Sequence, residues 1–535
     1  MVKFTVDSNL WINVESNSKT DFSILNLALR RRQEGFMFSP MYKRKKWDGY
    51  DKFLKEYKIN KQDEAKSHRI GIGMIKDAIE ALEQNNIRYE IEGVDRLIDT
   101  EISQVKLNNF IEFLLEGVLN QDGLQLTPRD FQFESVYRAL KYKYCTQELA
   151  TSAGKTIIFY IYAAYLKYKK RVSSDKKMLI IVPKISLLNQ TYEAFVSEYN
   201  NGLINIDVMR VGDKYKFDAK DFKKCEVLIS TYQSLANLPD SIYKEFNVIG
   251  IDECHTSKGK TISKIIQDSV NAEYKFGLSG TIQLDRKYST LFKIQEFIGS
   301  LRMIVPSKFL QEKGYSPNIK IKVLNLLHKN NEFIQWYARV KNDYNDVGCP
   351  PEYASPKEFG KAMFEAERQY LYSSDRRLDI ISNLVKKLKG NTLILFNNIK
   401  DKYGLTIQDK LLEWNENVFY VDGSVKITHR ESFQKTLEAN EGVVIVASYG
   451  TFSTGLNLKR LHNIIFAESS KSEITVRQSI GRGMRSYANK NEVNIFDLVD
   501  TFPNMQDNYM LLHAKQRIRI YCEQNFVHSF VDVPF

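Results

Sequence analysis

Short apolar runs rich in β-branched residues recur through the middle of the chain, at residues 178–182, 226–230, 248–251 and 275–278, with helix-spaced segments between them. Runs that are apolar on both faces belong to strands covered from both sides, the pattern of a parallel sheet with crossover helices. A second series follows at residues 392–396, 418–421, 442–447 and 463–467. The spacing therefore predicts two α/β lobes, over residues 122–303 and 390–505. Residues 1–121 read differently. Strand-like runs at 4–14 and 88–92 mix with Ile75, Ile79 and Leu82 at helical spacing, which predicts a small α+β module. Residues 304–389 hold a polar stretch with Pro350, Pro351 and Pro356 between helical patterns at 333–340 and 359–372, and read as a bridging helical segment. Residues 506–535 read as a C-terminal helix and tail. No internal repeat is present.

The first chemistry-bearing motif is Ala150-Thr151-Ser152-Ala153-Gly154-Lys155-Thr156, which leads into an apolar helix. Backbone N–H groups at a helix N-terminus attract phosphate oxygens. In a phosphate loop, Lys155 reaches the β and γ phosphates and the Thr156 hydroxyl binds Mg²⁺. Leu149 stands where the strict pattern has its first glycine, so a helix cap beside a lysine is the plainer alternative.

Next comes an apolar strand that ends in Asp252, Glu253, Cys254 and His255. Adjacent acids after a buried strand are costly unless they meet a cation or water. Asp252 is the candidate Mg²⁺ ligand and Glu253 the candidate for polarising an attacking water; the alternative is an acidic helix cap. The third motif, from Gln478 to Arg485, sets Arg482 and Arg485 three apart on an expected helix, where both can face one way. Delocalised guanidinium charge suits a transferring phosphoryl group. A solvated basic face is the commoner meaning of such a pair in isolation.

Charge points the same way as the motifs. The formal net charge is +12, which favours a polyanionic partner through counterion release. One cluster stands out: Lys43, Arg44, Lys45 and Lys46 beside Trp47 combine phosphate-binding cations with a stacking surface. A solvated loop is the bland alternative. Arg30, Arg31 and Arg32 read as the end of a helix, where positive charge meets the helix dipole. Five scattered cysteines show no metal-ligand spacing and suit a reducing compartment. No apolar run approaches the roughly 18 to 20 residues of a membrane helix, and the start lacks a signal-peptide core. A cytoplasmic protein with no membrane partner is expected.

Taken in order from Thr127 to about Asp500, these pieces resemble the motifs of superfamily 2 helicases. The resemblance implies two RecA-like lobes with an N-terminal α+β DNA-binding module, and ATP with Mg²⁺ as cofactors. It makes Gln132 the adenine reader and puts Ser152, Ala153 and Gly154 in the nucleotide loop. It places Lys184 and Thr231 on the nucleic-acid backbone and Gly455 and Asn457 against ribose and strand. His255, Ser279, Gly280 and Thr281 become the coupling group between nucleotide and track, with Gln478, Arg482 and Arg485 in the catalytic set. Asn457 stands where the family often has Asp. Within the superfamily, the Asp-Glu-Cys-His box, the Ser-Ala-Gly-Lys-Thr loop and the N-terminal basic module look most like the phage UvsW-type branch-migration helicases. That implies a monomer acting on forked, branched or duplex DNA beside replication or recombination proteins, in the host cytoplasm if phage-encoded. A double-stranded DNA translocase or restriction-type motor subunit, an RNA helicase, and a non-catalytic binding or annealing protein motivated by Leu149 are the competing readings.

Overall fold

In the computed structural model, the residues described are 1–535 except 59–66, 120–122, 124, 201–202, 283–287, 426, 456–457, 459, 469, 471, 484–489, 504, 506–507 and 535. The chain divides into two units, Met1–Val305 and Pro306–Phe535.

The first unit holds a seven-stranded sheet in the order Val208–Val211, Val227–Thr231, Lys177–Val182, Phe246–Asp252, Tyr274–Ser279, Tyr144–Leu149, Leu301–Val305. Every pairing is parallel. The central strands are buried on both faces, as their unbroken apolar runs require. The helix Lys155–Tyr168 buries every residue from Ile157 to Leu166, so it runs through the interior instead of capping one face.

A second, five-stranded sheet carries the N-terminal module, in the order Leu54–Tyr57, Ser67–Gly71, Trp11–Glu15, Val2–Thr5, Tyr89–Glu92. Only Val2–Thr5 with Tyr89–Glu92 is parallel. The helices Lys19–Ala28 and Ile75–Gln84 complete this α+β module, the latter by its apolar stripe Ile75, Ala78 and Leu82. The module is fused to the first lobe. Its core takes in Tyr144 and Phe292 from the lobe. A Cβ on Gly73 would fall 1.8 Å from the Gln295 carbonyl oxygen, so the two backbones touch where only glycine fits. Lys293 pairs with Asp51 at 2.7 Å, and Lys55 pairs with Glu296.

The second unit is again a seven-stranded parallel sheet: Val418–Val421, Val444–Ser448, Thr392–Phe396, Asn463–Phe466, Glu492–Thr501, Asn318–Leu327, Val527–Pro534. The two lobes of the expected α/β fold and the α+β module are thus present, but three local expectations need correction. The segment 304–389 is not only a bridge, because Asn318–Leu327 lies between two strands of this sheet. Its alternation of buried Ile319, Ile321 and Val323 with exposed Asn318, Lys320 and Lys322 is that of a strand with one open face. The tail 506–535 supplies the helix Tyr509–Glu523 and then the edge strand Val527–Pro534. Arg30–Arg32 is a strand paired with Tyr50–Lys52, and the preceding helix stops at Ala28. Those guanidinium groups lie over rings, Arg31 over Phe292 at 4.3 Å and Arg32 over Phe36 at 4.7 Å, and Arg31 also reaches the helix end, donating to the Ala28 carbonyl at 2.6 Å.

Candidate nucleotide site

Three neighbouring strands of the first lobe, Phe246–Asp252, Tyr274–Ser279 and Tyr144–Leu149, bring their carboxyl ends together. Ligands of open α/β sheets bind at such an edge. The phosphate-loop residues follow the third of these strands. Leu149 is the strand's last residue and fully buried, so its side chain fills the core and the loop starts one residue later. The turn is made instead by Ser152 at φ 71° and Gly154 at φ 77°. A Cβ on Gly154 would sit 2.4 Å from Gln132 Nε2. Gly154 thus has neither room nor a favourable backbone for any side chain.

Gln132 braces the loop from beneath. Its Nε2 donates to the Ala153 carbonyl at 2.8 Å and its Oε1 accepts from the Arg129 N–H at 2.8 Å. Arg129, overlooked in the sequence, donates to the Ser152 carbonyl at 2.9 Å. The available signal was its place just before the helix Asp130–Lys141, three residues ahead of Gln132 in a capping box. Thr156 is the second residue of the following helix and is half-buried.

The lysine and the acids meet. Lys155 Nζ lies 2.9 Å from Glu253 Oε1. The other Glu253 oxygen accepts from the Ser279 hydroxyl at 2.9 Å and lies 3.3 Å from His255 Nδ1. His255 Nδ1 is 2.8 Å from Ser279 Oγ and 3.4 Å from Thr281 Oγ1, and the Thr281 N–H donates to Ser279 Oγ at 3.1 Å. Gly280 passes so close that a Cβ there would be 3.4 Å from Lys155 Nζ. Of the residues singled out as a coupling group, His255, Ser279 and Thr281 therefore form one hydrogen-bonded cluster around Glu253, and Gly280 passes beside Lys155. Glu253 itself adopts φ 50°, ψ 51°, a left-handed conformation costly for a side-chain-bearing residue, which aims its carboxylate back at the loop.

Electrostatics sort the two acids. Burial pushes the Asp252 carboxyl up to about 6, against the pull of Lys155 and with the Glu253 charge adding to the rise. Burial works against the Glu253 charge too, but Lys155 and His255 outweigh it and hold that carboxyl well below the usual range. Burial opposes charge on Lys155, and Glu253 and Asp252 together reverse this, raising it above the usual lysine value. The lysine's charge is thus spent on Glu253, while Asp252 is a desolvated carboxylate short of a cation. Its Oδ1 accepts the Glu253 N–H at 3.0 Å. Close by in the loop, the Ser152 hydroxyl oxygen is buried without a hydrogen-bond partner among the described residues. Hard oxygen donors and an under-compensated acid suit a phosphate-bound Mg²⁺ ion. No ready-made cluster of three or more metal-ligating side chains occurs among the described residues.

Other expected site residues fall elsewhere. Thr231 is buried and accepts from the Ser234 N–H at 3.2 Å, capping the helix Tyr232–Leu235 instead of standing free at the surface. Lys184 precedes the helix Ile185–Glu193 and is half-buried. Lys43, Arg44, Lys45 and Lys46 are exposed on the N-terminal module with Trp47 half-buried beside them. In the second unit, Gln478 lies half-buried on the helix Glu473–Gly483 and Gly455 ends the helix Tyr449–Gly455. Asn457, Arg485 and the side chain of Arg482 lie outside the described residues. Among the described residues no helix is long and apolar enough to cross a membrane.

Comparison with known proteins matches this organisation. Residues 125–284 fit the family model "Type III restriction enzyme, res subunit", and residues 376–487 fit "Helicase conserved C-terminal domain". The chain is 28% identical over 516 residues to the ATP-dependent DNA helicase uvsW of Enterobacteria phage T4, covering 92% of each. It is 22% identical over 379 residues to the probable helicase D10 of Escherichia phage T5, covering 69% of each. Among solved structures, the ATP-dependent Type ISP restriction-modification enzyme LlaBIII bound to DNA superposes with a TM-score of 0.54 at 17% identity, over 86% of this chain and 34% of that one, a likeness of fold. With a restriction-subunit model and a helicase C-terminal model matched in order, and a phosphate loop whose lysine meets the acid pair, the chain is an ATP-hydrolysing helicase, similar along most of its length to the UvsW helicase of phage T4.

Proposed function

We propose that the protein is an ATP-dependent DNA helicase that unwinds and branch-migrates forked, D-loop or junction DNA. The observation that carries this reading is the cluster joining Lys155, Glu253, Ser279 and His255, because it ties the phosphate-binding lysine to the residues that would report nucleotide state. When the β and γ phosphates bind, they compete with Glu253 for Lys155, and Glu253 becomes free to orient a water against the γ phosphate. Release of that oxygen changes what Ser279 and His255 hold, so nucleotide state and side-chain arrangement are linked through differential contacts.

Thr156 and Asp252 would hold Mg²⁺, which would neutralise phosphate charge. Gln132 and the backbone from Ser152 to Gly154 would cradle the nucleotide, with Gly455 and Asn457 contributing to ribose binding. Gln478, Arg482 and Arg485 take their catalytic role from their motif, the two arginines supplying guanidinium charge to the transferring group. Lys43, Arg44, Lys45, Lys46 and Trp47, with Lys184, would contact the nucleic-acid backbone, which makes binding indifferent to sequence and sensitive to salt. We assign residues 1–121 as the DNA-binding module, 122–303 and 390–505 as lobes, 304–389 as a connecting segment that also lends a strand, and 506–535 as a C-terminal extension. The enzyme would act as a monomer in the cytoplasm, a host's if phage-borne, beside replication or recombination proteins.

A panel of single-stranded, duplex, forked, D-loop and four-way-junction DNA, scored for ATPase stimulation and strand displacement, tests this reading. Displacement of forked and junction substrates is expected. The match of residues 125–284 to a restriction-subunit model favours a second reading, a duplex translocase. Triplex displacement without unwinding of forks would select it, and stimulation by RNA in preference to DNA of equal length would overturn both.

A further inference from the structure

The N-terminal module holds three large apolar side chains out in water at one tip. Met37 is 58% exposed, Phe38 77% and Met41 51%. Adjacent exposed apolar residues on a soluble unit mark a contact surface. The tip is built to keep them there. Phe36, buried, anchors the turn edge-on to Tyr42 with ring centroids 4.8 Å apart, and Gly49 at φ 82° passes where a Cβ would sit 2.7 Å from the Phe36 ring. Backbone bonds from the Ser39 N–H to Phe36 O at 3.0 Å and from the Lys46 N–H to Met41 O at 2.9 Å close the turn on both sides. The segment is therefore a turn closed by its own packing and backbone hydrogen bonds.

Beside the tip opens a cleft of about 750 Å³, lined by Lys43, Lys45, Lys46 and Lys52 together with Trp47 and one acid, Asp48, which pairs with Lys52 at 3.5 Å and leaves the other three lysines in excess. The Trp47 indole N–H donates to the Tyr50 carbonyl at 2.9 Å, which fixes the ring in the cleft wall. An apolar point flanked by lysines complements one feature of DNA in particular: the open end of a base stack, apolar on its face and edged by phosphates. Apolar wedges placed against base steps in this way unstack them.

We propose that Met37, Phe38 and Met41 form a pin that abuts the terminal base pair at a DNA branch point, while the lysine cleft holds the backbone of the strand that leaves it. This rests on the reading of the protein as a DNA helicase. Because the module is fused to the first lobe through Gly73 and Lys293, movement of that lobe carries the pin with it.

The test uses the full-length protein and a triple variant, Met37→Ser, Phe38→Ser and Met41→Ser, whose exposed positions spare the core. Three readouts are compared on one forked substrate carrying 2-aminopurine in its first base pair: fluorescence on binding without ATP, strand displacement, and ATP turnover on single-stranded DNA. Wild type should raise the fluorescence and the variant should not. Displacement should fall about tenfold or more in the variant, because the first base step is no longer unstacked, while single-strand-stimulated turnover stays at the wild-type level. A variant that brightens and unwinds the fork like wild type would overturn the pin and leave the tip to an acidic protein partner. An equal loss of single-strand-stimulated turnover would also overturn it, reducing the tip to a general binding loop. Wild type inert on every fork would instead overturn the helicase reading itself.

Discussion

Glu253 holds Lys155 with one carboxylate oxygen, at 2.9 Å, and Ser279 with the other, also at 2.9 Å. One side chain thus bridges the phosphate loop and the strand that ends beside it. Loss of the Ser279 hydroxyl leaves the Lys155 contact in place but cuts the link to the neighbouring strand. Ser279→Ala is expected to retain ATP turnover within a few-fold and to lower the strands displaced per ATP hydrolysed much more. Parallel measurement of turnover and displacement checks this, and equal losses in both would assign Ser279 to hydrolysis alone.

Gly154 offers a steric test of the loop. An alanine there meets Gln132 Nε2 and must hold φ 77°. Gly154→Ala should weaken nucleotide binding at least about tenfold, the equivalent of roughly 1.4 kcal/mol, as read by titration with a fluorescent ATP analogue. Nucleotide affinity equal to wild type would mean that the loop binds in another shape.

The lobes were legible in the sequence because parallel strands covered on both faces must be apolar throughout, and runs such as 178–182 and 392–396 are. Asn318–Leu327 was missed for the converse reason. Its charged Lys320 and Lys322 face outward, and its partners Glu492–Thr501 and Val527–Pro534 lie about two hundred residues downstream, beyond any local pattern. Motif residues around the phosphate loop were legible, since spacing names Lys155, Asp252 and Glu253. The bracing roles of Gln132 and Arg129 were not, because a side chain that holds a neighbouring backbone leaves no periodic trace. Nor was the cap formed by Thr231, whose hydroxyl is turned inward.

Lys275 makes a prediction about pH. It is fully buried where the N-terminal module meets the first lobe, donates to the Asn9 carbonyl at 2.6 Å, and is pushed by burial from its usual 10.5 down to about 7. Between those values the unfolded chain binds a proton that the folded chain does not, so stability rises with pH across this window and the penalty is complete below pH 7. Lys275→Met should therefore gain more thermal stability relative to wild type at pH 6 than at pH 9. A melting difference that is the same at both values would show that the amine is charged throughout.

In the second unit, Arg517 and Asp497 form a fully buried pair at 2.7 Å, and Tyr521 donates to the same carboxylate at 2.8 Å. Removing one partner strands the other charge. Arg517→Ala should cost about 3 to 5 kcal/mol, measured by denaturant unfolding, and a loss below about 1 kcal/mol would mean that the Asp497 carboxylate finds water or a proton at little expense.

The central claim is that Lys155 and the acid pair opposite it form the ATP site that drives work on DNA. DNA-stimulated ATP hydrolysis by Lys155→Ala tests it most directly. Turnover is expected to fall by about two orders of magnitude or more, with DNA affinity within a few-fold of wild type. Turnover unchanged from wild type would contradict the account.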